Sequence, residues 1–452
     1  MLIDCGSAAS PGSTSRTIDR YTRHIYDTVM ANEGDRLDVV VATSRQTNHI
    51  SGFGERGAGH IAKTKPGLVV QPWTEDPKFE PDISLPPVTG DSDGSKSRRF
   101  THQLASMSSL MKQLTRVEQF ASPEGGETRS ETDRTAAKPE LAATDGEAVD
   151  EPTISRLSGA TGIAADQVEA LCDINITDEG AVQALRTMGS QKPRYLHYGM
   201  QSGIEDVIPG IQVDVLGPTS IQQGAEVSHL RHTDDSEFWH LAAHSTFAAG
   251  IGSTTAADSI FPKAPTEPRE LWVPPVHWLV PKLRKVHGNQ ILSLTRILDR
   301  AQSNTSLILL ITVGSRRLLF SGDAQIEAWE YPLFQANDKA RVRRQLRWTN
   351  VYKVGHHGSQ TATPKSLWEM FSRRGPADDP NRLLTLLSTR NGSHGHGSHG
   401  TTVPWPTLVD ELGRSSSLID SREYKSADNY FHDIELSTSK NRPLVIDPSD
   451  AA

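Results

Sequence analysis

Seven short runs of aliphatic and β-branched residues, each leading into a polar or glycine-bearing turn, constrain this fold more than any other feature. They read RLDVVVAT, GLVVQPW, IQVDVLG, SLILLITV, RRLLFSG, VYKVG and LLTLLST. Runs of this length and β-branched content suit strands. Between them lie stretches of helical spacing: ATGIAADQVEALCDI, DEGAVQALRTMG, DSEFWHLAAHSTF and TVPWPTLVDELG. The alternation predicts an α/β protein with mixed sheets covered by helices, some strands being close enough to form hairpins. No internal repeat of fixed period is visible.

The chain has 452 residues, enough for a full core, but its hydrophobic fraction is only 36%. That dilution points to unstructured sequence beside a globular body. Residues 122–153 carry nine acids and three bases, most of the formal charge of −8. With few aromatic or β-branched residues, this segment buries too little to offset its ordering entropy and reads as a disordered acidic insertion. The rest is nearly neutral, so no electrostatic footprint for nucleic acid stands out. The densest basic run, ARVRRQLRW, reads as a solvated helix face. No run is long enough to span a bilayer, and the first residues lack the pattern of a signal peptide. Cys5 and Cys172 form neither a zinc spacing nor a disulfide framework. A cytoplasmic protein is the expectation.

The chemistry-bearing residues sit at strand ends. LLFSGDAQ places Asp323 directly after an apolar strand, and VYKVGHHGS does the same with His356 and His357. A carboxylate and an imidazole pair at rigid strand ends suit a borderline divalent metal such as zinc. TSRQTNHISGF, after RLDVVVA, has the frame of a metal-binding turn with His49 inside it. STRNGSHGHGSHGTT adds His394, His396 and His399 in a Gly- and Ser-rich tract, a composition that binds metal adventitiously. Glu75 and Asp76 in PWTEDP are either site-mouth residues or turn formers before Pro77. His240 and His244 share a helix face at i, i+4 but lack the Glu of a helical zinc motif, and with Phe238, Trp239 and Phe247 they read as packing residues. Asn304 and Thr305 read as residues that open a strand.

Taken together, MLIDCGS, LDVVVATSRQTNHISGF, WTEDP, IQVDVLGPT, NTSLILLITVGSRRLLFSGDAQ and VYKVGHHGSQTATP resemble the metallo-β-lactamase fold hydrolases. The branch they resemble is that of the soluble hydrolase domain of ComEC-type DNA-uptake proteins. The resemblance implies an αββα sandwich, two mixed sheets face to face with helices outside and a metal site at one edge. It also implies that Asp4 supports the metal turn from below. The family turn reads T-H-x-H-x-D-H-x-x-G, and Thr43, His49 and Gly52 fix the register here. Ser44 and Gln46 then stand where the first two histidines belong, Asn48 replaces the aspartate, and only His49 remains. Neutral hydroxyl and amide oxygens are weak zinc donors, and the aspartate ordinarily binds the second ion and orients the attacking hydroxide.

Two functions follow from that pattern. One is a pseudoenzyme or scaffold that has lost binuclear hydrolysis. The other is a metal-dependent hydrolase of ester or phosphodiester type with a residual mononuclear site of His49, Asp323 and His356 or His357; His394, His396 and His399 are separate site-mouth candidates that could replace the imidazoles missing at 44 and 46. Zinc or manganese is the implied cofactor of the second; the first needs none. Residues 1–100 would form the first half of the domain, lacking its first strands, 101–155 a helix plus the acidic insertion, and 156–452 the remainder. Missing strands would expose an edge for a protein partner to cover. Nucleic acid enters as a partner through the resemblance alone, and no membrane partner is expected.

Overall fold

The computed structural model describes residues 1–7, 14–31, 36–57, 59–80, 92–120, 178–223, 298, 301–359, 361, 363–389, 403–423, 432–439 and 444–445. They form an α/β protein with two sheets flanked by helices. The first sheet is parallel, in the order β1-β2-β3-β4, with β1 at Leu2–Ile3, β2 at Val39–Val41, β3 at Leu68–Pro72 and β4 at Arg194–Leu196. The second is mixed, in the order β10-β9-β8-β7-β6-β5. It comprises β5 at Ile211–Gly217, β6 at Ile308–Val313, β7 at Arg316–Phe320, β8 at Val351–Lys353, β9 at Leu384–Leu387 and β10 at Ser417–Asp420. The pairs β5/β6 and β6/β7 are antiparallel, whereas β7 through β10 run parallel.

Side-chain alternation along a strand explains how the layers stack. Val39, Val41, Leu68 and Val70 of the first sheet share one buried cluster with Val213, Val215, Leu309 and Ile311 of the second. Their neighbours Val40 and Val69 face the other way, into a cluster with Ile18 of the Thr14–Val29 helix and Ala181, Val182 and Leu185 of the Glu179–Thr187 helix. The outer face of the second sheet, with Leu310, Leu319 and Tyr352, is covered by Trp329, Val342, Leu346, Trp368 and Leu412 from its flanking helices. Strands buried on both faces read as unbroken apolar runs, which is why VVV and LVV carry no polar alternation.

All seven apolar runs become strands. Three strands, β1, β4 and β10, lie outside them. All are sheet edges, and the sequences of β4 and β10, RYL and SLID, begin with exposed residues. DEGAVQALRTMG forms the Glu179–Thr187 helix, started by Asp178, whose side chain accepts the Ala181 N–H at 2.8 Å. ARVRRQLRW forms the Lys339–Arg347 helix, which buries Val342 and Leu346 and leaves Arg343, Arg344 and Arg347 exposed. β1 is an edge of the first sheet, paired only with β2 among the described residues. No described helix is long and apolar enough to cross a membrane. The 122–153 segment, the 160–174 stretch with Cys172, His240, His244, His394, His396 and His399 lie outside the described residues.

Candidate functional site

Where the parallel strands of both sheets end, their following turns converge. The Leu307 N–H donates to the Thr43 carbonyl at 2.8 Å and ties the turn after β2 to the start of β6. Gly322 and Gly355 let the turns after β7 and β8 approach each other. A Cβ at Gly355 would stand 2.1 Å from the Gly322 carbonyl oxygen, and one at Gly322 would reach the Thr43 Oγ1 at 3.0 Å. Gly322 also has φ of 50°.

Asp4, directly after β1, is the base of the cluster. Its Oδ1 accepts the Thr43 N–H at 2.7 Å, and its Oδ2 accepts the Thr43 hydroxyl at 2.6 Å and faces His49 Nδ1 at 2.8 Å. On the other side of the ring, His49 Nε2 lies 2.9 Å from Asp323 Oδ2, an ion-pair contact with poor hydrogen-bond alignment. Asp323 Oδ1 accepts the backbone N–H of His356 at 2.7 Å. An imidazole placed between two carboxylates carries a proton on each nitrogen. Burial alone would lower the pKa of His49, but the Asp323 and Asp4 charges outweigh it and raise the value to about 10. Asp323, also buried, is held well below the usual carboxylate range: His49 outweighs the opposing effect of its burial.

The histidine pair is strained. His356 and His357 have φ of 44° and 52°, left-handed values that non-glycine residues adopt at a cost, and Asp4 shares the feature at 55°. His357 Nε2 meets the Asn48 amide nitrogen at 2.8 Å, and its Nδ1 meets the Ser388 carbonyl after β9 at 3.1 Å. Burial pushes its pKa down to about 4. The turn therefore ties Asn48 directly to one of the two histidines, while His356 serves Asp323 through its backbone.

Other expected residues divide. Glu75, after β3, is buried and faces Arg45 of the turn after β2 at 3.9 Å. Asp76 instead starts the next turn, accepting the Lys78 N–H at 3.0 Å and pairing with the Lys78 ammonium at 2.9 Å. Ser44 Oγ accepts the Gln46 N–H at 3.3 Å, closing its own turn. Lys353, at the end of β8, escaped the sequence reading. Its ammonium donates to the Val354 carbonyl at 3.0 Å; burial lowers its pKa, against the attraction of Asp323 and Asp4. The signal available was a lysine inside the apolar run VYKVG. The Cys5 thiol beside this cluster is no nucleophile, since burial first and the Asp4 charge second push it up to about 12.

The donor set fits a resident zinc or manganese poorly. A metal-bound imidazole must offer a bare nitrogen; the Nδ1 of His49 is taken by Asp4, and its Nε2 lies against Asp323 Oδ2 as an ion-pair contact without a hydrogen bond. His357 Nε2 is engaged by an amide. Among the described residues, no group of three or more His, Cys, Asp or Glu side chains is arranged to hold an ion. What the arrangement does instead is balance charge internally, with two carboxylates set against an imidazolium and a nearby ammonium. The chain matches no protein-family model, no curated protein and no solved structure.

Proposed function

We propose that this chain is a catalytically silent relative of the metallo-β-lactamase fold hydrolases, of the ComEC-like branch, that keeps an αββα sandwich as a scaffold and has lost binuclear hydrolysis. The carrying observation is the Asp4–His49–Asp323 chain, in which side chains of the protein occupy the positions from which His49 and Asp323 would bind an ion. Asn48 supports the same reading, since its amide engages His357 where the family aspartate would face a second ion. The competing reading, a mononuclear hydrolase, draws on the 2.9 Å approach of His49 and Asp323. A cytoplasmic location goes with either.

The deciding experiment is metal content by mass spectrometry on tag-free protein purified without chelator. It compares the chain as given, an Asp323→Asn, His357→Gln variant and a Ser44→His, Gln46→His, Asn48→Asp variant. The expected result is no stoichiometric zinc or manganese in the first two and tight zinc in the third. One tightly held ion in the chain as given, lost in the Asp323→Asn, His357→Gln variant, overturns the scaffold reading in favour of the hydrolase.

A further inference from the structure

At the other end of the second sheet, roughly 15 Å along β7 from Asp323 at the rise of an extended strand, three arginines crowd together. Arg316 is fully engaged: its guanidinium donates to the Ser437 and Ser439 carbonyls, both at 2.7 Å, and to Asn381 Oδ1 at 3.2 Å. Arg317, the next residue of β7, projects to the opposite face, the one it shares with Leu319. Asn350 clamps its backbone, accepting its N–H at 3.0 Å and donating back to its carbonyl at 2.8 Å. Its side chain has no hydrogen-bond or carboxylate partner among the described residues, and its Nε is buried.

Arg373 comes to the same place from another element. The Ser372 N–H and hydroxyl both donate to the Arg347 carbonyl, at 2.9 and 2.8 Å, which fastens this loop to the end of the Lys339–Arg347 helix. There Trp348 stands 47% exposed, unusual for an indole, with the Arg373 guanidinium 5.9 Å from its ring centre. Arg373 donates once, from Nη1 to the Asn381 carbonyl at 3.1 Å, and its buried Nε has no acceptor among the described residues. Burial lowers the Arg373 pKa; Arg317 adds to that, and Asp379 opposes it. Asp379 forms no ion pair with either arginine among the described residues, and its Oδ1 accepts the Asn381 N–H at 2.8 Å.

Two guanidinium groups with buried Nε–H donors unspent, brought to one end of the sheet by the Asn350 clamp on Arg317 and the Ser372–Arg347 tie beside Arg373, are an unfavourable arrangement until an anion takes those donors. Arg316, their neighbour, spends its donors on the loop carbonyls it meets. We infer that Arg317, Arg373 and Trp348 form a binding site for a phosphate group, carried either by a nucleoside monophosphate or as free phosphate. Guanidinium forks match phosphate oxygens, and the exposed indole offers a stacking face for a base. The site is independent of the His49 cluster and of its metal status.

The test is titration calorimetry at low salt with inorganic phosphate, adenosine monophosphate and adenosine. Proteins compared are the full chain, Arg317→Gln/Arg373→Gln, Arg317→Lys and Trp348→Ala, each checked for an unchanged melting temperature. Expected are saturable one-to-one binding of a phosphate-bearing probe, none of adenosine, and at least a tenfold loss in the double variant. Arg317→Lys, which keeps the charge without the fork, falls between and keeps the test valid should the double variant misfold. Tighter binding of the nucleotide, abolished by Trp348→Ala, assigns the nucleotide; equal affinities assign free phosphate. No saturable binding of either phosphate probe at about 10 mM, ten times the Kd of a weak millimolar site, overturns the inference. So does binding undiminished in the double variant.

Discussion

The turn after β2 and the turns after β7 and β8 stand at corresponding ends of the two sheets and face each other, yet their sequences differ in kind. The second sheet supplies Asp323, His356 and His357, all residues able to ligate a metal. The first supplies Ser44, Gln46 and Asn48 around a lone His49. The geometry on the second side is nonetheless costly, with two consecutive left-handed histidines. The difference teaches that the halves of a composite site are held by different forces. The turn of the first sheet is closed by Asp4 and its own backbone. Asp323 is both a candidate ligand and the carboxylate on which His49 and the His356 backbone rest.

That asymmetry sets the predictions. The largest effect belongs to His49→Ala, which leaves the Asp4 and Asp323 carboxylates facing one another in a buried space. Loss of one partner from a buried charge network costs about 3–5 kcal/mol, measurable by urea denaturation. A loss under about 1 kcal/mol, the range of an exposed pair, would break the claim that the two halves are joined through this ring.

Next comes the pH profile of stability in metal-free protein. His49, with a folded pKa raised to about 10, contributes fully below its unfolded value of about 6.5 and loses that contribution as pH rises toward 10. His357, lowered to about 4, acts in the opposite sense: stability falls as pH drops from about 6.5 toward 4, because the unfolded chain then binds the extra proton. Asp323, depressed, adds a further loss as pH falls below the ordinary carboxylate range. A maximum near pH 6.5 is expected, and a flat profile between pH 4 and 10 would contradict the protonated His49.

Asn48→Asp sharpens the comparison more gently. It places a carboxylate beside His357 Nε2, so the His357 pKa rises from about 4, read by ring-proton NMR, with a stability change of about 1 kcal/mol or less, as for a single hydrogen-bond exchange. An unmoved His357 titration would separate the two turns. The smallest effect is at Asp76→Asn, which weakens the pair between the buried Asp76 carboxylate and the exposed Lys78 ammonium by about 1 kcal/mol and leaves the His49 and His357 titrations where they were.

Much of the architecture was legible in the sequence because burial on both faces writes itself as apolar runs. β4 and β10 were not, since edge strands with exposed residues lack that signature. The Thr14–Val29 helix also went unread, although Ile18, Tyr21 and Ile25 supply a thin helical stripe that packs on the first sheet. In the site, support of the Thr43 turn by Asp4 was an expectation of the resemblance, and Asp4 does accept the Thr43 N–H and hydroxyl. The roles of the histidine pair could not be read in the sequence: His357 meets Asn48, while His356 holds Asp323 by its backbone. Lys353 was hidden because a charged residue ending a strand gives no clue to which carboxylates lie opposite.

By itself, the sequence determined the strand runs and the polar turns closing them, because each depends on residue type and local periodicity. Only the tertiary structure decided that His49 is shared between Asp4 and Asp323, that Asn48 engages His357, and that the Arg373 guanidinium lies over the Trp348 ring. The Asn48–His357 contact joins residues 309 apart, and Asp4–His49 residues 45 apart. Such pairings are fixed by how two sheets and their covering helices pack, a long-range geometry that no local pattern encodes.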